Sequence, residues 1–226
     1  RKEAPSAVEA AHEASRNPSP LVEALTRQWA VNASPAGPDA ATYAAWMQAG
    51  NEASLAALLA AFTEAGLFTE PGTHHQGGDD GDIVARLAPA PDLRRLVDRW
   101  LDILVSEGVL LRDDRGFSIT RDSLERYRMK ERWNRFAALD DQVGNSSESF
   151  EYQRRAANTL LSQVRGEMNP VEILFPGGGT GKARAIYGGN RASGSINTAV
   201  SDALVSIIEA RGDRPTRILE VGAGVG

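Results

Sequence analysis

The residues best placed to do chemistry in this 226-residue chain are its last ten, RILEVGAGVG. Arg217 to Val221 is a short apolar run following Pro215 and bounded by Gly222, the pattern of a buried parallel strand. Gly222, Gly224 and Gly226 then alternate in a turn, where glycine permits tight dihedrals and lets a ligand lie against bare backbone. A strand feeding such a turn is how doubly wound α/β folds place a ligand at the carboxyl end of the sheet. The spacing is G-x-G-x-G, one residue short of the G-x-G-x-x-G dinucleotide fingerprint. Glu220, two residues before the first glycine, adds a carboxylate. The motif leaves open a non-dinucleotide cofactor, a dinucleotide and a plain glycine-rich turn.

Two further stretches carry reactive types. Gly177-Gly-Gly-Thr-Gly-Lys182 looks like part of a phosphate-binding loop. The residue after Lys182 is Ala183, which cannot ligate magnesium, and Gly177 sits one residue too close to Gly181 for G-x-x-x-x-G-K-[ST]. A flexible crossover is the better account. The loop TEPGTHHQGGDDGD (69–82) collects His74, His75, Asp79, Asp80 and Asp82, types that can bind divalent ions. Its glycines leave those groups unordered, and ordering them costs backbone entropy. The expectation is a mobile surface loop, with no metal site assigned. The three histidines, His12, His74 and His75, receive no role.

The elements that must position these groups read as mainly helical. Residues 1–19 are Ala/Glu/Ser/Pro-rich, a linker or frayed segment. Leu21, Val22, Leu25 and Trp29 then share a face, and Tyr43, Trp46 and Met47 follow on a second helix. Leu55, Leu58, Leu59 and Phe62 repeat the helical spacing up to Gly66. The strongest amphipathic stripe runs through Leu93, Leu96, Val97, Trp100, Leu101, Leu104 and Val105, stopping at Gly108. VLLRDDRGFSIT (109–120) has the turn chemistry of a hairpin. A helix followed by such a hairpin resembles a winged-helix unit, but Asp92, Asp98, Asp102 and Glu107 argue against phosphate contact, leaving a helical cap. A basic helix over 121–136 serves as a solvated face or packing strut, and Phe150 to Met168 is helical again. From Ser195 to Ala210, Ile196, Val200, Ala203, Leu204, Ile207 and Ile208 form one apolar stripe, as a helix packed on a sheet requires.

Composition narrows the class. A net charge of −5 and a pI near 5.3 disfavour a nucleic-acid surface. No apolar run of membrane-spanning length and no secretory segment are present, so a cytoplasmic chain with no membrane partner is expected. The absence of cysteine excludes disulfides, thiolate metal sites and a cysteine nucleophile. Abundant Ala and Arg with little Lys point to a GC-rich bacterial genome.

Glu220-Val-Gly-Ala-Gly-Val-Gly226 resembles the (E/D)-x-G-x-G-x-G of class I S-adenosylmethionine-dependent methyltransferases at every position. Upstream, NPVEILFPGGGTGKARAIYGGN (169–190) resembles the methylation domains of modular type I polyketide synthases. There a lid carrying P-x-E-x-L-F-P-G-G precedes an A-x-x-x-Y segment and a helix with an early Asn. Pro170, Glu172, Leu174, Phe175, Pro176, Gly177 and Gly178 match the first block, Ala185 and Tyr187 loosely the second, and Asn197 the third. The resemblance covers about residues 50 to 226, and GGNRASGS departs from it between Tyr187 and Asn197.

That resemblance implies a helical lid over 20–168 with a winged-helix-like hairpin, and a crossover over 169–194. A Rossmann-like, doubly wound core would begin over 195–226, with the chain cut at its cofactor motif. It implies S-adenosylmethionine bound by Glu220, Gly222, Gly224, Gly226, Tyr187 and Asn197, with the catalytic base in the core and no residue here nominated. The reaction implied is methylation of the α-carbon of an acyl thioester on an acyl carrier protein, in company with neighbouring synthase domains. Two alternatives stand beside it: an oxygen or nitrogen acceptor, and a non-catalytic adaptor whose Arg126, Arg128, Lys130, Arg132 and Arg135 meet an acidic carrier face.

Overall fold

The computed structural model describes residues 39–189, 191–212, 217–219 and 221. The chain divides into two bodies, one of which runs from Pro38 to Arg191. Helix α1 (Ala40–Glu64) is its spine. Asp39 caps it, accepting a 2.6 Å hydrogen bond from the Thr42 N–H, and this bond holds the Asp39 carboxyl below the usual range. Its start and middle are one continuous helix, although Gly50 falls inside. That glycine has a packing reason: a β-carbon there would stand 3.2 Å from the Phe136 ring. The helix ends at Glu64 with Ala65 as its cap, and Gly66, at a φ of +79°, turns the chain back.

Helix α2 (Asp82–Leu87) and a 3₁₀ turn (Pro91–Leu93) lead into α3 (Arg94–Ser106), the predicted amphipathic stripe. Strands β1 (Leu110–Asp113) and β2 (Gly116–Ile119) pair antiparallel, Leu110 opposite Ile119 and Asp113 opposite Gly116. The hairpin is therefore as predicted, with Asp113 Oδ1 accepting from the Arg115 N–H at 2.9 Å inside its turn. The predicted basic helix is two helices, α4 (Arg121–Arg126) and α5 (Met129–Val143). Tyr127 leaves helical geometry and Arg128 is extended, because burying Tyr127 with the first core requires the chain to turn there. The predicted 150–168 helix is likewise split, into α6 (Ser147–Ala157) and α7 (Leu160–Val164). After them come α8 (Pro170–Leu174), a 3₁₀ turn (Pro176–Gly178) and α9 (Gly181–Gly189).

Two clusters of apolar residues hold this body. The first joins Leu59 and Phe62 of α1, Ile83 and Leu87 of α2, Trp100 and Leu104 of α3, Phe117 of β2 and Val164 of α7. Trp100 is buried as predicted and meets Phe62 edge-on at 6.3 Å. The second joins Ala49 and Ala53 of α1 to Trp133 and Phe136 of α5, flanked by Trp46 and Phe150. The small α1 residues let α5 approach closely, so rings fill the space that larger side chains on α1 would occupy.

The other body contains most of α10 (Arg191–Arg211), close to the predicted 195–210 helix. Its apolar stripe is solvent-facing: Ile196 is 61 % exposed, and Val200, Leu204 and Ile208 are exposed too. Arg217–Leu219 and Val221, the described parts of the predicted 217–221 strand, carry no ladder, with Leu219 and Val221 each 87 % exposed. A strand is defined by its neighbour. No described strand lies beside this one. No described helix is long and apolar enough to cross a membrane.

Candidate functional site

The 169–189 segment is built from its sequence in a legible way. The Asn169 side chain accepts from the Val171 N–H at 3.0 Å, Pro170 takes the first helical position where no N–H is needed, and Glu172 sits in the first turn. Gly177 (φ +59°) and Gly178 (φ +78°) both adopt left-handed dihedrals in the turn that follows, which is why two glycines stand there. Ile173 of α8 and Ala183 and Ile186 of α9 are buried, and both helices pack against α6. The phosphate-loop alternative fails structurally, because Val171–Leu174 is helical and no strand feeds the glycines.

Tyr187, one residue after the buried Ile186, is 54 % exposed on α9. Asn197 is exposed on α10. Both are polar side chains accessible to a ligand. Glu220, Gly222, Gly224 and Gly226 lie outside the described residues, as do His12 and the Leu21–Trp29 stripe.

The 69–82 loop differs from the expectation. It is ordered around His75, which is only 5 % exposed. His75 Nε2 accepts from the Phe68 N–H at 3.2 Å, so the ring hydrogen sits on Nδ1, which donates to Asp82 Oδ2 at 2.6 Å. The His75 backbone also exchanges hydrogen bonds of 2.8 and 2.9 Å with Phe117 of β2, tying the loop to the hairpin. Partial burial pushes the Asp82 carboxyl up, but the bonds from His75 and the Gln76 N–H, with Arg86 nearby, outweigh it and hold the group below the ordinary range. Phe68 pays for this arrangement with a φ of +53°, rare for a bulky residue. His74 instead faces Asp113 at 3.2 Å. No metal-binding cluster of His, Asp and Glu occurs among the described residues. The signal missed in the sequence is long-range: nothing local to His75 announces Phe117 or Phe68.

A second centre was also hidden. Glu52, buried on α1, receives Arg132 at 2.7 Å, Arg135 at 3.5 Å and Arg126 at 3.9 Å. Three of the five basic residues considered for a carrier face are thus gathered on an internal carboxylate. A lone Glu in an Ala-rich stretch was the available cue.

No family model matches the chain. Among curated proteins it is 28 % identical over 181 residues to pyochelin synthetase PchF of Pseudomonas aeruginosa, in strains UCBPP-PA14 and PAO1. The match covers 80 % of this chain and 10 % of the synthetase, so the chain spans about a tenth of the length of these relatives. Among solved structures, the DszA carbon methyltransferase superposes with a TM-score of 0.65 at 20 % identity, over 80 % of this chain and 46 % of that one. The CurJ carbon methyltransferase gives 0.62 at 20 % identity, over 86 % and 48 %. The chain has the fold of the carbon methyltransferases. It spans about half the length of those two structures. Within that carbon-methyltransferase fold, the described portion is mainly helical with one two-stranded sheet, and Tyr187 and Asn197 are its described cofactor candidates.

Proposed function

We propose that this chain is part of a polyketide synthase methylation domain. The domain transfers a methyl group from S-adenosylmethionine to the α-carbon of a carrier-protein-bound acyl thioester. The observation that carries the reading is the carbon-methyltransferase likeness over 80 % of the chain or more. The sequence Glu220 to Gly226 supports it as a cofactor motif. The synthetase relative supports an assembly-line setting with carrier and neighbouring domains as partners.

The residues fit such a cofactor in chemical type. Glu220 would accept from its ammonium group, and the bare turn at Gly222, Gly224 and Gly226 would let its carboxylate lie against backbone N–H groups. Tyr187 and Asn197, both exposed, would supply a phenol and a carboxamide at the entrance. When bound, the cofactor supplies an electrophilic methyl group. A C–H flanked by carbonyls needs only a positioned base and an oriented donor, so holding the reactants in line is the main demand on the protein. No residue of this chain is assigned as that base.

Calorimetric titration of S-adenosylmethionine into the protein that bears this chain tests the reading. Gly222→Val abolishes binding while leaving the helical circular dichroism intact, since a β-carbon would push the ligand off the backbone. Glu220→Gln weakens binding less, because an acceptor remains. Unchanged affinity in Gly222→Val would overturn the proposal.

A further inference from the structure

The stretch from Phe68 to Ala88 begins and ends on strained backbone. Among the described residues, Phe68 (φ +53°) and Ala88 (φ +50°) are the two non-glycine residues in the left-handed region. Such dihedrals persist where surrounding contacts hold them. At the far end the Ala88 N–H donates to the Val84 carbonyl at 2.9 Å, and Arg165 holds the Leu87 carbonyl at 3.0 Å. At the near end the holding group is the His75 ring, whose Nε2 accepts from the Phe68 N–H and whose edge-on contact with the Phe68 ring spans 5.0 Å.

His75 is also the pin of the loop. Its Nδ1–H donates to Asp82 at the start of α2, and its backbone exchanges two hydrogen bonds with Phe117 of β2. Two residues on, Gly77 lies so close to the Phe117 ring that a β-carbon would stand 2.8 Å from it, so the loop covers that ring. The charged groups around the imidazole are few. From α2 come Asp82 and, 3.8 Å from it, Arg86. The hairpin brings Asp113 and Arg115, which engage each other and His74. Helix α3 brings Asp98, and Asp102 paired with Arg112, to the edge of the loop at Gln76–Gly78. Phe62 and Phe68, from α1 and the turn after it, are apolar.

A second ring proton has no place in this arrangement. Nε2 would change from acceptor to donor and face the Phe68 N–H at 3.2 Å, leaving two buried donors without an acceptor. Asp82 would gain a charge-assisted bond, but its contact with Nδ1 is already made. The carboxylate is 39 % exposed, so solvent screens the added attraction. Release of Phe68 from its left-handed dihedral acts in the same direction as the loss at Nε2.

We propose that His75 is a proton-operated latch. Uptake of a second ring proton parts Nε2 from the Phe68 N–H, relaxes Phe68 and lets the loop lift from β2, uncovering the Phe117 ring, while Asp82 keeps hold of Nδ1. Falling pH favours opening, because the open form binds one more proton than the closed one. Imidazole ordinarily takes up its second proton between about pH 5 and 8. The Asp82 carboxyl, held below its ordinary range, stays ionised through that interval. The latch is independent of the methyl-transfer reading, since none of its residues belongs to the cofactor motif.

Amide exchange of the full chain, read by NMR at about pH 7.5 and 5.5 and corrected for intrinsic rates, tests the latch. The amides of Phe68, His75 and Phe117 should lose at least about tenfold in protection on acidification, with those of α5 unchanged. His75→Gln retains an acceptor for Phe68 but cannot titrate, so its protection should be the same at both pH values. His74→Gln, which removes the other imidazole of the loop, should respond as the parent does. The ring nitrogen shifts of the parent give a second reading that needs no variant. His75 Nε2 should pass from acceptor to donor over the same pH interval in which the Phe68 amide loses protection. Equal protection of the parent at both pH values, a response that survives in His75→Gln, or one that vanishes in His74→Gln would overturn the proposal. So would a His75 ring that gains its proton while the Phe68 amide stays protected.

Discussion

The two clusters of the larger body are built to different ends. The first, around Phe62, Phe68 and Trp100, is enclosed on all sides by α1, α2, α3, the hairpin and α7, and its one buried histidine has both ring nitrogens satisfied. The second, around Trp133 and Phe136, is aromatic, borders an open cleft and keeps an indole N–H without an acceptor. A closed core maximises buried area. A half-open one gives up some of that area. The difference teaches that closed and open packing can share a single helix, α1, whose C-terminal half serves the first cluster and whose N-terminal half borders the second.

Substitutions can break or sharpen that contrast. Trp100→Ala should produce the largest effect, a loss of about 3–5 kcal/mol in urea unfolding, because its surroundings cannot collapse into the void. A loss under about 1 kcal/mol would remove Trp100 from the core. Phe136→Ala should cost less, about 2–4 kcal/mol, as the cleft beside it lets α5 and α6 relax. If it costs more than Trp100→Ala, the second cluster is the tighter of the two. Glu52→Gln should follow at about 1–3 kcal/mol, since it leaves three guanidinium groups facing a neutral amide, though their partial exposure softens the penalty. A stability equal to the parent would mean that the arginines find solvent at no cost.

The smallest effect is a dependence on acid. The Asp82 carboxyl is held below its ordinary 3.8 in the folded chain, so its stabilising contribution is complete above that value and declines as the pH falls through the lower, folded one. Asp82→Asn should therefore lower stability at neutral pH, with the gap to the parent closing below about pH 3.8. A gap that stays constant down to pH 2.5 would show that the His75 contact matters only as a neutral hydrogen bond. The side chain is partly exposed, so the change is modest.

Much of this was legible in the chain itself, and the rest was not for identifiable reasons. The α3 stripe and the hairpin were readable because periodicity and the DDRG turn are local signals, and Trp100 sits in the middle of the stripe. The break at Tyr127–Arg128 has no glycine or proline to announce it; Tyr127 turns inward to fill a core assembled from distant elements. His75 was obscured by its own neighbours, whose glycines suggested looseness, although Gly116 at φ +111° must lack a β-carbon where the His75 carbonyl approaches. The glycine motif was the plainest chemical sign in the sequence, and it falls outside the described residues. The cleft between α5 and α6 was invisible because its four polar side chains, Lys130 and Asn134 on one helix and Arg154 and Asn158 at the other, come to one opening only on folding.

Helix α1 also bears on how the protein comes apart. At 25 residues it is about 37 Å long, and it forms a wall of both clusters. Neither cluster can lose its packing without baring one end of that rod, and a helix stripped of its contacts is marginal in water. Loss of order in the enclosed half therefore propagates to the open half through shared backbone. Amide exchange along residues 49–62 should slow to one common rate, marking a single cooperative unit.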